Sequence, residues 1–248
     1  MKRFTLITVL GPLCLLAASS AAAQQLTPQQ ILERSDDVFN APSDQYWEMK
    51  VVVTDNAGRQ KVREAMMYQK GYDKRLTKFT APADQKGIGF LSLPNDVMYL
   101  YLPAFSKTRR IASHVKNTKF AGTDFTYEDM EAKRDADKWN GTLKGTDDAH
   151  YIIEMSLKPG KTSEYSKIVK WILKENYFPD KMEMYDKAGN LYKRLVREQV
   201  EKVGGFWTCH QYEMKDVKED HTTRMVLMNI KFNSGVSDDI FTERFLAR

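Results

Sequence analysis

The sequence predicts a mainly β protein: a strongly curved antiparallel sheet of about eleven strands, with a few helices over its concave face. Three observations carry this reading. Apolar residues alternate with a period of two through most of the chain between Tyr46 and Phe232. The connections are short or carry Gly, Pro or Asp, whereas parallel pairing needs a crossover of a dozen or more residues. Convincing helix signals occur only near the two ends. No Ser- or Gly-rich linker, internal repeat or low-complexity segment divides the chain, so residues 24–248 read as a single domain.

Taken in order, Thr27 is an N-cap, Pro28 stands at the first helical position and Gln30 completes a capping box. Ile31, Leu32, Ser35, Val38 and Phe39 then share one face of a helix that Ala41-Pro42-Ser43 ends. Trp47, Met49, Val51 and Val53 alternate with polar residues in the first strand, and Asp55-Asn56-Ala57-Gly58 turns it. Lys61 to Lys70 and Arg75 to Phe79 follow. Ile88 to Leu93 and Val97 to Leu102 are apolar on both faces, with Pro94-Asn95-Asp96 between them. Lys107 to Ile111 closes the first run. The stretch F-A-G-T-D-F-T-Y-E-D-M from Phe120 to Met130 suits neither a strand nor a surface helix and divides the two runs as a hinge. Glu128 to Lys138 reads as a short helix, broken by Gly141 and Gly145. The second run comprises Tyr151 to Leu157, Lys167 to Lys174, Lys181 to Tyr185, Leu191 to Val200, Trp207 to Val217 and Arg224 to Phe232. Ser237-Asp238-Asp239 caps a terminal helix carrying Ile240, Phe241 and Phe245.

Lys2 and Arg3, the apolar run Phe4 to Leu16 and the small residues Ala21-Ala22-Ala23 before Gln24 form the pattern of a cleavable secretory signal over residues 1–23. Cys14 reads as part of that run, because Leu13 stands where lipid attachment needs a small residue. No other stretch reaches the ~18 apolar residues of a membrane span. Without Lys2 and Arg3 the 38 basic residues become 36 against 33 acidic, a net charge of +3. That is far from the clustered excess of a nucleic-acid binder. Cys209 is then the remaining cysteine, which excludes an intramolecular disulfide in the mature chain and reads as a buried thiol.

The four histidines, His114, His150, His210 and His221, lack metal-ligand spacing, and neighbours such as Cys209 and His210 point to opposite faces of a strand. No nucleophile elbow, P-loop or dinucleotide fingerprint occurs. Asp135 and Asp137 before Gly141 resemble a calcium loop, but Trp139 takes a ligand position, the glycine comes late and Thr146 replaces the closing glutamate. No metal, cofactor or enzymatic activity is expected. Asp124, Glu128 and Asp129 form the best carboxylate cluster; the favoured reading is that Asp124 caps a turn and the other two open a helix. Methionines lie largely within strands, including Met49, Met67, Met98, Met155, Met182, Met184, Met214 and Met225. Their unbranched, polarizable side chains suit ligands of irregular shape. Lys107, Arg109, Arg110, Lys116 and Lys119 lie between Phe105 and Phe120 without an acidic neighbour, a surface for phospholipid head groups or an acidic partner.

The block F-L-S-L-P-N-D-V-M-Y-L-Y-L-P-A-F-S-K-T-R-R-I from Phe90 to Ile111, followed by the Phe120 to Met130 stretch, resembles the LolA-like outer-membrane lipoprotein-sorting proteins. Gly122, Asp124, Phe125, Tyr127, Glu128 and Asp129 belong to its most specific part. The resemblance implies an open or half β-barrel with helices over a hydrophobic cavity. It also implies a periplasmic carrier that takes acyl chains of a lipoprotein or other lipid from an inner-membrane transporter of ABC or RND type toward an outer-membrane acceptor. Strand alternation selects Trp47, Met49, Val51, Phe90, Met98, Leu100, Met155, Trp171, Leu173, Met182 and Met184 as cavity residues. The alternative is a non-enzymatic adaptor of an envelope transporter, with the hinge and the basic stretch as its interface.

Overall fold

In the computed structural model, which describes residues 25–248, thirteen strands form one antiparallel sheet that does not close into a barrel. The predicted signal segment lies outside the described residues. Helix α1 (Pro28–Phe39) is followed by β1 (Asp44–Thr54), β2 (Gln60–Lys70), β3 (Lys74–Ala81), β4 (Gly89–Leu93), β5 (Val97–Leu102) and β6 (Lys107–Arg110). After α2 (Asp135–Lys138) come β7 (Trp139–Thr146), β8 (His150–Leu157), β9 (Lys167–Leu173), β10 (Pro179–Tyr185), β11 (Leu191–Val203), β12 (Phe206–Asp216), β13 (His221–Phe232) and α3 (Glu243–Leu246). The strand order is β6-β5-β4-β3-β2-β1-β13-β12-β11-β10-β9-β8-β7. Two meanders therefore meet at the β1–β13 pair, where Met49 lies opposite Leu227 and Val51 opposite Met225. The last strand of the first meander and the first of the second are the two sheet edges. The 28 residues between them, 111–138, must recross the sheet.

Helix α1 begins as its capping box dictates: Thr27 Oγ1 accepts from Gln30 N at 3.2 Å and Gln30 Oε1 accepts from Thr27 N at 2.9 Å. It contacts β7, β8 and β12, so this half of the sheet curls around it. Strand β7 was not expected, because Gly141 and Gly145 read as breaks. Gly141 is needed where α1 lies on the strand: a Cβ there would sit 3.3 Å from Pro28 O and 3.1 Å from Ile153. The ladder is irregular between Leu143 and Gly145, which accommodates the second glycine.

Two clusters flank the sheet. The larger, on the inner face, joins Trp47, Met49, Val51, Phe90, Met98, Ile153, Met155, Met184 and Leu227 to Phe120, Phe125 and Tyr127 of the crossover and to Ile31 and Leu32 of α1. The smaller packs Val236, Phe241 and Leu246 against Leu76 and Leu91 on the outer face. The predicted terminal helix is thus two short pieces on the outer face. A 3-10 turn, Asp238–Ile240, is capped by Ser237; Phe241 leaves helical geometry, and Thr242 caps α3. The helix expected over Glu128 to Lys138 is reduced to α2, because the side chains before it are drawn into ion pairs with the sheet.

Candidate functional site

The site is built by the crossover, whose three carboxylates are each tied to a different part of the structure. Gly122 adopts φ +73°, which a residue with a Cβ rarely does, and this turns the chain into the inner face. Asp124, with no exposed surface, has His221 Nδ1 2.8 Å from both carboxylate oxygens; Thr223 Oγ1 and Lys119 Nζ donate to it at 2.8 and 3.1 Å. Glu128 accepts from Lys138 Nζ and the Glu164 amide, both at 2.8 Å, and from Ser163. Asp129 accepts from Lys193 Nζ at 2.9 Å, Tyr165 Oη at 2.7 Å and the Thr126 amide at 2.8 Å. Burial raises the Asp129 pKa, but the Lys193 ammonium outweighs it and holds the carboxyl below its usual range. The reading of Glu128 and Asp129 as helix openers is therefore corrected: both are buried acceptors of lysine. Asp124 and Glu128 also occupy separate ion-pair clusters rather than facing each other across a cleft.

Beneath this crossover lies a cavity of about 190 Å³. Its floor is the inner face of the sheet: Trp47, Met49, Met67, Ile168, Met182, Met184, Leu195, Met214, Met225 and Leu227. Its cover is the end of α1, with Asp36, Phe39 and Asn40, together with Phe125, Asp129, Met130, Glu131, Lys133 and Asp135 of the crossover, and Tyr165. The cover is latched by Arg134 to Asp37 at 2.8 Å and by Ala136 N donating to Asp36 Oδ2 at 2.7 Å.

A family model described as "Uncharacterized protein" matches residues 71–248. A protein of known structure from Desulfovibrio piger, assigned to the DUF1329 family, is 29% identical, with a TM-score of 0.83 over 89% of this chain and 100% of that one. An outer membrane lipoprotein-sorting protein domain from Vibrio parahaemolyticus is 26% identical, with a TM-score of 0.79 over 90% of this chain and all of the other. In sequence and fold this chain is similar to the LolA-like proteins. A LolA superfamily protein from Nitrosomonas europaea, 19% identical, shares the fold with a TM-score of 0.74 over 89% of this chain and 100% of its own. No curated protein matches the sequence.

This LolA-like protein places the eleven sequence-selected residues in three groups. Trp47, Met49, Met182 and Met184 line the cavity. Val51, Phe90, Met98, Leu100 and Met155 face the same way but are covered. On that part of the sheet, crossover aromatics fill the space: Tyr127 stacks on Phe90 at 5.8 Å and Phe120 on Phe79 at 5.4 Å. Trp171 and Leu173 point to the opposite face, a correction of one residue in register. Their neighbours Ile168, Lys170 and Ile172 face inward, and Lys181 Nζ lies 4.1 Å over the Trp171 ring outside.

The basic stretch is also divided. Lys107, Arg109 and Arg110 are exposed on edge strand β6 beside Phe105, itself 62% exposed. Lys116 is buried against Asp96 at 3.4 Å and Glu131 at 3.7 Å, and Lys119 is held by Asp124, Asp216 and Glu219. These two lysines hold the crossover and are not open to a partner. Cys209 is fully buried, which pushes its thiol pKa up to about 11.

Sequence reasoning missed the charges on the inner face. Arg75, Lys170 and Arg197 line the cavity from inward positions of their strands, and Lys193 is inward beside it. Lys170 pairs with Asp135 and lies 4.0 Å from Asp36, whose pKa burial raises to about 6 despite that lysine. An inward lysine is legible only once a buried acid is known to cross above it.

Proposed function

We propose that this protein is a periplasmic carrier that binds the acyl chains of a lipoprotein or other lipid noncovalently in the inner-face cavity and moves them toward the outer membrane. The observation that carries the reading is the cavity itself, with six methionines, Trp47, Leu195 and Leu227 under a cover that is separate in sequence from most of the floor. Burying one methylene contributes about 0.8 kcal/mol, so a sixteen-carbon chain gains on the order of 10 kcal/mol before ordering costs. Pockets for drug-sized ligands run to roughly 300–1,000 Å³. A cavity of about 190 Å³ therefore admits a long chain only when its cover shifts. The cover rests on ion pairs and a few apolar side chains, whereas the floor is a continuous hydrogen-bonded ladder, so the cover is the part that yields. The lipoprotein-sorting description of the Vibrio relative supports the same class of cargo.

The test is mass spectrometry of the mature protein taken from the periplasm, native and after organic extraction. A stoichiometric lipid or acylated protein is the expected result. An empty protein that also fails to bind a fluorescent fatty acid would overturn the proposal. A second role, docking on an ABC or RND-type envelope transporter or an outer-membrane acceptor, is favoured by exposed Lys107, Arg109 and Arg110 on an unpaired strand edge, with exposed Phe105 in the turn before it. Charge reversal at Arg109 and Arg110 should abolish pulldown of such a partner; unchanged pulldown would remove this role.

A further inference from the structure

The ionisable groups around the cavity are unevenly paired. Each carboxylate lining it faces a lysine: Asp129 pairs with Lys193, Asp135 with Lys170, Asp36 lies at 4.0 Å from the same Lys170, and Glu131 is 3.4 Å from Lys133. Two guanidiniums remain, and among the described residues neither has a carboxylate in salt-bridge contact; Glu131 acts on Arg75, and Asp135 feels Arg197, only from farther off. Arg75 donates through Nε and Nη2 to Gln69 Oε1 at 3.0 and 2.6 Å, and through Nη1 to Met130 O at 3.2 Å and Glu131 O at 3.5 Å. Arg197 Nη1 donates to Pro179 O at 2.7 Å, and its guanidinium lies near the Met182 sulfur and over the rings of Phe39 and Tyr212. Every one of these acceptors is neutral. The Arg197 Nε–H is buried with no acceptor at all.

The two arginines come from β3 and β11, separated in the sheet by β2, β1, β13 and β12, yet both line the same cavity. Burial, and to a smaller extent the charge of Arg197, lowers the Arg75 pKa to about 10, so Arg75 stays charged at neutral pH. Two like charges held near an apolar surface with no carboxylate in direct contact are costly in a medium of low dielectric. A guanidinium presents a planar fork that fits the paired oxygens of a carboxylate or phosphate.

We propose that Arg75 and Arg197 form an anion site in the cavity, which takes the ionised head, carboxylate or phosphate, of a single-chain amphiphile while its tail runs over Met49, Met184, Leu195 and Leu227. This rests on the carrier reading above and narrows it: the cargo is an ionised amphiphile, because an acyl chain held through an ester or amide has no charge at that end.

The experiment uses the full mature protein, stripped of lipid, and a neutral fluorescent reporter displaced by palmitate, monohexadecyl phosphate or hexadecanol. These share a sixteen-carbon tail and differ in the head. At least one anion should bind about tenfold or more tightly than hexadecanol, the value of one charge-assisted hydrogen bond. Preference for palmitate assigns the head as carboxylate, and preference for the alkyl phosphate assigns it as phosphate. In Arg197→Met the ratio of anion to alcohol affinity should fall toward one; Arg197→Lys, which keeps the charge without the fork, should retain part of it. If Arg197→Met does not fold, Arg75→Gln supplies the same ratio. Equal affinity for all three in the native protein, or an unchanged ratio in the variants, overturns the anion site while the carrier reading stands. Failure of all three to displace the reporter overturns the carrier reading as well.

Discussion

Replacing Asp129 by Asn changes one charge at the point where the crossover is tied to the sheet. The native carboxylate accepts four hydrogen bonds: from Lys193 Nζ, Tyr165 Oη, the Thr126 amide and the Thr126 hydroxyl. Lys193 has no exposed surface, and Asp129 is its only ion-pair partner among the described residues. Asn supplies one acceptor oxygen and turns an amide against the remaining donors. The ammonium is left buried without a counter-charge. Breaking a buried pair by removing one partner costs about 3–5 kcal/mol. For a chain of this size each kcal/mol lowers Tm by roughly 2–4 °C, so the drop should be about 6–20 °C. Urea unfolding followed by circular dichroism measures it, and Lys193→Met in the same chain should recover part of the loss, because the stranded charge is gone. The pH dependence gives an independent check. The folded pKa of Asp129 lies below 3.8, so its contribution is present above that value and is lost as pH falls through the lower folded pKa. The variant should lack that portion of the acid transition. A loss below about 0.5 kcal/mol, the level of a surface change, would refute the view that this pair anchors the cover.

Asp36 should behave in the opposite sense. Its pKa is raised to about 6, so its contribution to stability is complete below 3.8 and is lost as pH rises through 6; Asp36→Asn should gain on the native protein between pH 5 and 7.5 by about 1.4 kcal/mol, at 1.36 kcal/mol per unit over the one unit from 5 to 6. Parallel urea titrations at those two pH values would show it, and a constant difference would count against it. Leu195→Trp, at a cavity position 6% exposed, should abolish binding of a fluorescent fatty acid at a stability cost of roughly 1–3 kcal/mol; full binding in a folded variant would mean that the ligand sits elsewhere. Leu246→Ala removes a fully buried side chain from the outer cluster, so it should cost about 2–5 kcal/mol in chemical denaturation yet leave fatty-acid affinity unchanged.

Local pattern carried most of the sheet. Strand faces are set by residues two apart, and Trp47, Met49, Val51 and Val53 announce an inward face whatever lies opposite. The capping box at Thr27 is equally local, and it forms. Strand β7 was hidden because glycine normally weakens a strand; at Gly141 it is required by the backbone of α1, about a hundred residues earlier in the chain. Alternation alone does not say which face of β9 is inward, since Trp171 and Leu173 on one side are as apolar as Ile168 and Ile172 on the other. In the fold Lys170 is inside, neutralised by Asp135, and the tryptophan is outside beneath Lys181.

What the sequence by itself determined is the antiparallel meander, the leading helix and the importance of the Gly122 to Asp129 stretch, all of which follow from spacing along the chain. Only the tertiary structure decided what that stretch does. It carries three carboxylates to Lys119, Lys138 and Lys193, leaves a methionine-lined cavity beneath it, and leaves Arg75 and Arg197 facing that cavity without a carboxylate in contact. The physical reason is that the face a residue shows is a local property, whereas the cost of burying a charge depends on what the fold places beside it.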